Sequence, residues 1–242
     1  MNHVKGEADQ RPKRFYSQVD VARAEDKWTV ALDGKLLRTP EKHALALPAE
    51  PLAHVVADEW RAQAERIDLQ SMFNTRMANV AIDRAPALRA ELAEEAARYA
   101  VTDLVCHLAE KPDALRARQD AAWGPLRQWA ADEMGVRLIA VEGIIAAEQP
   151  EASIDAVKRH GMSLDDFRLT ALVHAVALFG SAVIGLAVER RRIRGADAHD
   201  ISRIDEEFQI EQWGEDAEAR RFAERSRAEA QALDLWFDAL AI

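Results

Sequence analysis

Leu169 to Val188, LTALVHAVALFGSAVIGLAV, is a run of uncharged residues in a 242-residue chain in which 31% of the side chains are charged. No other feature restricts the fold as strongly, because so apolar a stretch must be taken out of water. As a helix rising ~1.5 Å per residue it would cover the ~30 Å hydrocarbon layer of a bilayer. Arg190, Arg191, Arg192 and Arg194 follow it as the basic flank of a membrane span would. The same run suits the central helix of a bundle, which is apolar on every side because other helices surround it. Gly180, Ser181 and Gly185 permit close helix approach in either solvent, while His174 favours a hydrogen-bonded interior over lipid.

The remainder of the chain narrows these readings. No second apolar segment approaches this length, so a membrane protein here would be single-pass with two large soluble flanks. Asp and Glu outnumber Lys and Arg by 42 to 32, which argues against nucleic acid or an anionic membrane surface as the main partner. Cys106 is the one cysteine, so an intramolecular disulfide and a Cys-rich zinc site are both excluded and a reducing compartment fits. Residues 1–13 lack the apolar core of a secretory signal and the character of a transit peptide. They are expected to be a disordered lead-in to a cytoplasmic protein.

The expected fold class is α+β, a small antiparallel meander over 14–48 followed by a larger helical domain over 49–242. Short runs of period two, such as Trp28–Leu32 and His43–Leu47, are separated by Ala24–Lys27, Asp33-Gly34 and Thr39-Pro40. Asp-Gly between alternating apolar runs is a strong hairpin signal, and a meander this thin must pack on something. After Pro48 the spacing predicts helices at about 49–66, 72–83, 86–109, 113–134 with an interruption at Gly124-Pro125, 151–160, 163–188, 197–214 and 216–239. Val136–Ile144 reads as an isolated strand.

A search for catalytic chemistry finds none of the common frames. There is no GxxxxGK loop and no GxGxxG after a strand. The seven histidines have no HExxH or HxxxH spacing, so no metal or cofactor is expected. Cys106 and His107 are neighbours that point about 100° apart on a helix, and Cys106 reads as a buried structural thiol. Gly180-Ser181 lacks the hydrolase elbow frame and falls in mid-helix. Asp83, Asp103, Asp165 and Asp166 read as caps or ion-pair partners, with Ser163 and Asp166 forming helix-start chemistry.

Several phrases taken together resemble one family, the assembly chaperones for the alpha subunit of the ATP synthase catalytic head, the Atp-twelve family in its bacterial form. They are RFYSQV at 14–19, WTVALDGKLLRTP at 28–40, LALPAEPLAHVVADEW at 45–60, MFNTRMANVAIDR at 72–84, YAVTDLVCH at 99–107, RQDAAWGPLRQW at 118–129 and EEFQIEQWGEDAEA at 206–219. Phe73 departs from the pattern, in which proline usually follows the methionine. The resemblance implies a soluble monomer that is a binding protein and not an enzyme, which places 169–188 inside the fold. It implies a client, the unassembled alpha subunit, whose beta-facing surface is covered until the ring forms. An enzyme with an unrecognised site and a single-pass membrane-anchored assembly factor are the alternative readings.

The candidate client site lies in ISRIDEEFQIEQWGED. On a helical wheel Ile201, Ile204 and Phe208 form one stripe that should face the bundle, and Glu206, Gln209, Ile210 and Trp213 form a second nearly opposite. A Trp and an Ile framed by Glu and Gln have the composition of an interface hot spot with a polar surround. Gly214 should end the helix and Asp216 should help to open the next. With Glu207 these make the partner-binding candidates Glu206, Glu207, Gln209, Ile210, Trp213, Gly214 and Asp216. The competing reading buries Trp213 against the helix 216–239. Trp123 and Trp129 are expected in the core.

Overall fold

The computed structural model describes residues 10–143 and 145–241. Strands β1 (Val19–Ala24), β2 (Lys27–Leu32) and β3 (Lys35–Leu36) form an antiparallel meander, with Val19 opposite Leu32 and Ala31 opposite Leu36. Asp33 and Gly34 both take positive φ (48° and 79°), the geometry that a two-residue hairpin matched to strand twist requires. His43–Leu47 adds only single bridges, Ala44 to Arg38 and Leu47 to Trp28. Of the expected lead-in, residues 1–9 lie outside the described residues. Pro12 accepts from the Ile67 amide (2.9 Å) and Arg11 pairs with Asp68 (3.2 Å), so the chain is fixed from there on.

Helices α1 (Glu50–Arg61), α2 (Phe73–Asp83), α3 (Ala85–Arg98), α4 (Asp113–Glu133) and α5 (Glu151–Ser163) follow. Two short strands, β4 (His107–Leu108) and β5 (Val141–Glu142), pair in parallel on either side of α4. The strand expected over Val136–Ile144 is therefore short and partnered, and Ile144 itself lies outside the described residues. The chain closes with α6 (Asp166–Phe179), α7 (Ala182–Glu189), α8 (Gly195–Ser202), α9 (Ile204–Trp213) and α10 (Ala217–Ala239). The meander rests on α1: Tyr16 donates to the Trp60 carbonyl (2.7 Å) and Arg61 donates to the Val19 carbonyl (2.9 Å).

The uncharged segment does not form one helix, contrary to the expectation of 163–188. Gly180 turns left-handed (φ 63°) and ends α6, and Ser181 starts α7 by accepting from the Ile184 amide. The Gly-Ser pair lies at a corner and not in mid-helix. Among the described residues no helix is long and apolar enough to cross a membrane. Folding back lets α6 and α7 pack on each other, and Gly185 makes this possible, since a Cβ there would lie 2.5 Å from Val176 Cγ1. Leu169, Leu172, Val176, Ile184 and Leu186 are fully or almost fully buried, and α2, α3, α4 and α10 surround the pair.

Other expected boundaries shift for identifiable reasons. The helix expected over 86–109 stops at Arg98, because Asp103 must leave helical geometry to reach α7. The helix expected over 197–214 breaks at Arg203. The interruption at Gly124-Pro125 is absent: α4 runs through it, because Trp123, Leu126 and Trp129 are buried on one continuous face. Ser163 does not start a helix; its hydroxyl donates to the His160 carbonyl at the end of α5, and Asp165 caps α6 by accepting from the Arg168 amide.

Asp103 holds the corner together. It is fully buried and accepts from the Val105 amide (3.2 Å) and the Val183 amide (3.1 Å), with further bonds from Ser181 and the Ala182 amide. Leu104 donates to the Gly180 carbonyl, so one loop satisfies polar groups on both sides of the break. Burial lifts the Asp103 carboxyl from its ordinary 3.8 to about 6, against the opposing pull of these hydrogen bonds. Cys106 beside it is buried, and its thiol is pushed up to about 12 by burial and by Asp103. That is the inert structural cysteine expected from the sequence.

Between the unfolded and folded values for Asp103 the folded state holds the extra proton. The site therefore contributes stability at low pH that is lost as pH rises through about 6, on the order of 3 kcal/mol in all. Urea unfolding between about pH 4 and pH 7 should show wild-type stability falling relative to Asp103→Asn as pH rises. A difference that stays flat over that range would show that Asp103 titrates normally.

Candidate partner-binding site

Helix α9 is short and has no buried residue. Its first turn carries Asp205, Glu206 and Glu207, which suit the positive end of the helix dipole. It stops at Gly214 (φ 84°), whose amide donates to the Ile210 carbonyl (2.8 Å). Asp216 then caps α10, accepting from the Glu218 amide (2.8 Å) and the Ala219 amide (2.9 Å). These two bonds, the one to Ala219 first, hold the Asp216 carboxyl below its usual range. Gly214 and Asp216 thus set the angle between α9 and α10.

Polar contacts attach α9 to α4. Arg118 makes a two-pronged pair with Glu211 (2.8 Å each) and lies over the Phe208 ring (5.2 Å to its centre). The Arg118 hydrogen bond keeps Glu211 below the ordinary carboxylate range. Buried Gln119 donates to Asp205 (2.6 Å), and Trp123, fully buried, donates to the Ile201 carbonyl at the end of α8 (2.8 Å). Ile204 and Phe208 are half-buried in this contact, which leaves the opposite stripe outward. Glu206, Gln209 and Trp213 of the outward stripe are exposed as expected, but Ile210 is half-buried like Ile204 and Phe208, and Ile201 belongs to α8.

The outward stripe faces a groove of about 610 Å³ between α9 and the first turns of α10. Glu206, Gln209, Ile210, Trp213, Gly214 and Asp216 all line it. Glu207 does not; it lies 3.5 Å from Arg203. Trp213 is 80% exposed, so the reading that buries it against α10 does not hold. The other wall holds Phe222, 60% exposed, which reasoning from the sequence missed. Its signal was present: Phe222 is the one large apolar residue among the charges of EARRFAERSRAE. The expected tryptophans of α4 are in the core, with Trp123 at 0% and Trp129 at 7% exposure.

The buried carboxylates elsewhere are structural. Glu59, pushed up by burial, accepts from the amides and side chains of Asn74 and Thr75 and so caps α2. Phe73 begins that helix and packs edge-on against His174 (4.5 Å between ring centres), which accommodates the departure from proline. Among the described residues, Glu41, His43 and Asp83 have ligand atoms close enough to share a cation. The Asp83 oxygens there are taken by Thr39 Oγ1, His43 Nδ1 and the Glu41 amide, which close the loop between the meander and α2.

The profile of a known family, ATP12 chaperone protein, matches residues 13–131. The crystal structure of Atp12 from Paracoccus denitrificans is similar over 94% of this chain and 98% of that one, at 40% identity and a TM-score of 0.86. A point variant of the Paracoccus protein gives 39% identity and the same TM-score, over 94% and 97% of the two chains. A candidate chaperone from Agrobacterium tumefaciens is 36% identical with a TM-score of 0.88, over 95% of this chain and 86% of that one. The family profile ends within α4, while the structural likeness extends through the chain.

Because the Arg118 and Glu211 side chains are about half exposed, Arg118→Ala should leave global stability nearly unchanged. It should nevertheless free α9, so that trypsin cleavage at Arg203 accelerates several-fold. Cleavage at the wild-type rate would mean that other contacts hold this helix.

Proposed function

The chain belongs to the ATP12 chaperone family, and from that premise we propose that it serves ATP synthase assembly by holding the unassembled alpha subunit in the groove between α9 and α10. The client surface covered is the one that alpha later presents to beta. The protein acts as a cytoplasmic monomer without a cofactor. An orphan subunit of an obligate ring exposes a large apolar interface and aggregates unless that surface is capped.

The observation that carries this reading is the exposed pair Trp213 and Phe222 on opposite walls of one groove. An aromatic side chain left 80% in water contributes little to its own fold, and aromatics of this kind dominate binding when a partner desolvates them. Glu206 and Gln209 border the aromatic patch, supplying the polar rim that an interface of this type carries. For the ring to form, the beta subunit must bind alpha more tightly than the chaperone does and displace it by mass action, without ATP hydrolysis.

Co-purification with isolated alpha subunit, lost when beta is added, is the direct test. Trp213→Ala should weaken alpha binding by about 2 kcal/mol while its melting temperature stays within about 2 °C of wild type. Glu206→Lys should also fold normally and bind worse. A well-folded variant carrying both changes that still binds alpha normally would place the client site on another face.

A further inference from the structure

The groove at Trp213 does not end at α9. Arg203, Glu206 and Phe222 also line a second depression, of about 270 Å³, which reaches Leu178 and Gly180 at the corner between α6 and α7. The two depressions share these three residues and make one trough. Its polar groups are unequally satisfied. Glu215 pairs with Arg220 (2.7 Å), and Asp216 caps α10. Glu206 on one wall and Glu218 on the other have carboxylates with no hydrogen-bond or ion-pair partner among the described residues. Arg203 is not open in the same way: its side chain is 12% exposed, its Nε is buried, and it pairs with Glu207 (3.5 Å).

We propose that the trough receives one basic amphipathic segment of the client. An apolar side chain of that segment seats between Trp213 and Phe222, and a Lys or Arg reaches Glu206 and Glu218. This deepens the reading of the groove as the client site and rests on it. The argument for a basic segment is charge complementarity: two unpaired carboxylates beside apolar surface gain most from a cationic group, because the local dielectric is lower than that of water. A net charge of −10 speeds the approach of such a segment and repels acidic ones, a second copy of this chain included.

The test uses the full chain and overlapping peptides of about 15 residues that cover the alpha subunit. Bound peptides should carry an apolar residue within one helical turn of a Lys or Arg. The double change Glu206→Lys, Glu218→Lys should weaken them roughly tenfold or more, and added salt should weaken binding to wild type but not to this variant. Circular dichroism and melting curves keep misfolded variants out of the comparison. Acidic or uncharged bound peptides, or unchanged affinity after charge reversal, would overturn the proposal, and if Trp213→Ala still weakened binding the groove would remain the client site. Normal binding of whole alpha by both the Trp213→Ala and the charge-reversed chains would overturn the proposal and the site together.

Discussion

The corner at Gly180-Ser181 is the constraint around which the helical part is built. An apolar run too long for any surface is folded back on itself, and that exposes backbone groups in the middle of a core. Each must be satisfied, because an unpaired buried amide or carbonyl costs about 1–3 kcal/mol. Ser181 supplies one acceptor from within the run, and Asp103 reaches in from a loop far away in sequence to supply the others. The loop that carries Asp103 therefore cannot stay helical, which is why α3 ends where it does. Satisfying α7 also places a carboxylate in an environment that disfavours its charge.

Close helix approach carries the packing outward from that corner. Gly161 lets α5 meet Ala93 of α3, and Gly195 brings α8 onto the Ala230 carbonyl of α10. Ionic contacts reinforce the second junction. Asp234, nearly buried, accepts from the Gly195 amide (2.7 Å) and pairs with Arg191 and Arg194, so the basic cluster after α7 works as a helix-end clasp. The end of α10 is tied in through Arg168, which donates to the Leu240 carbonyl and pairs with buried Glu189.

The two walls of the groove inherit unequal support from this arrangement. From Ala230 onward α10 is packed into the core, whereas its first half projects past it, carrying Phe222 and Glu218. Opposite stands α9, which buries no residue of its own and is held by an ion pair, a ring contact and the hydrogen bond from Gln119 to Asp205. Contacts of that kind are weak in water and sensitive to salt. A surface of this sort can shift without disturbing the core, because the elements that would have to move carry little of the stability.

By itself the sequence determined what depends on near neighbours: the Asp33-Gly34 hairpin, the stop at Gly214, the cap at Asp216 and the two stripes of α9. Each follows from backbone preferences or helical period within a few residues, which tertiary contacts rarely reverse. The family was legible in the same way, from phrases spread along the chain, and so was most of one groove wall. Only the tertiary structure decided that 169–188 is two helices, that 86–109 and 197–214 break, and that Phe222 and Arg203 complete the trough. Those outcomes turn on residues distant in sequence, since Asp103 acts on Val183 across 80 positions and α10 is positioned by α8. Hydrophobic period reports which residues must leave water, but the satisfaction of buried backbone groups decides where a helix stops, and that depends on partners no local window contains.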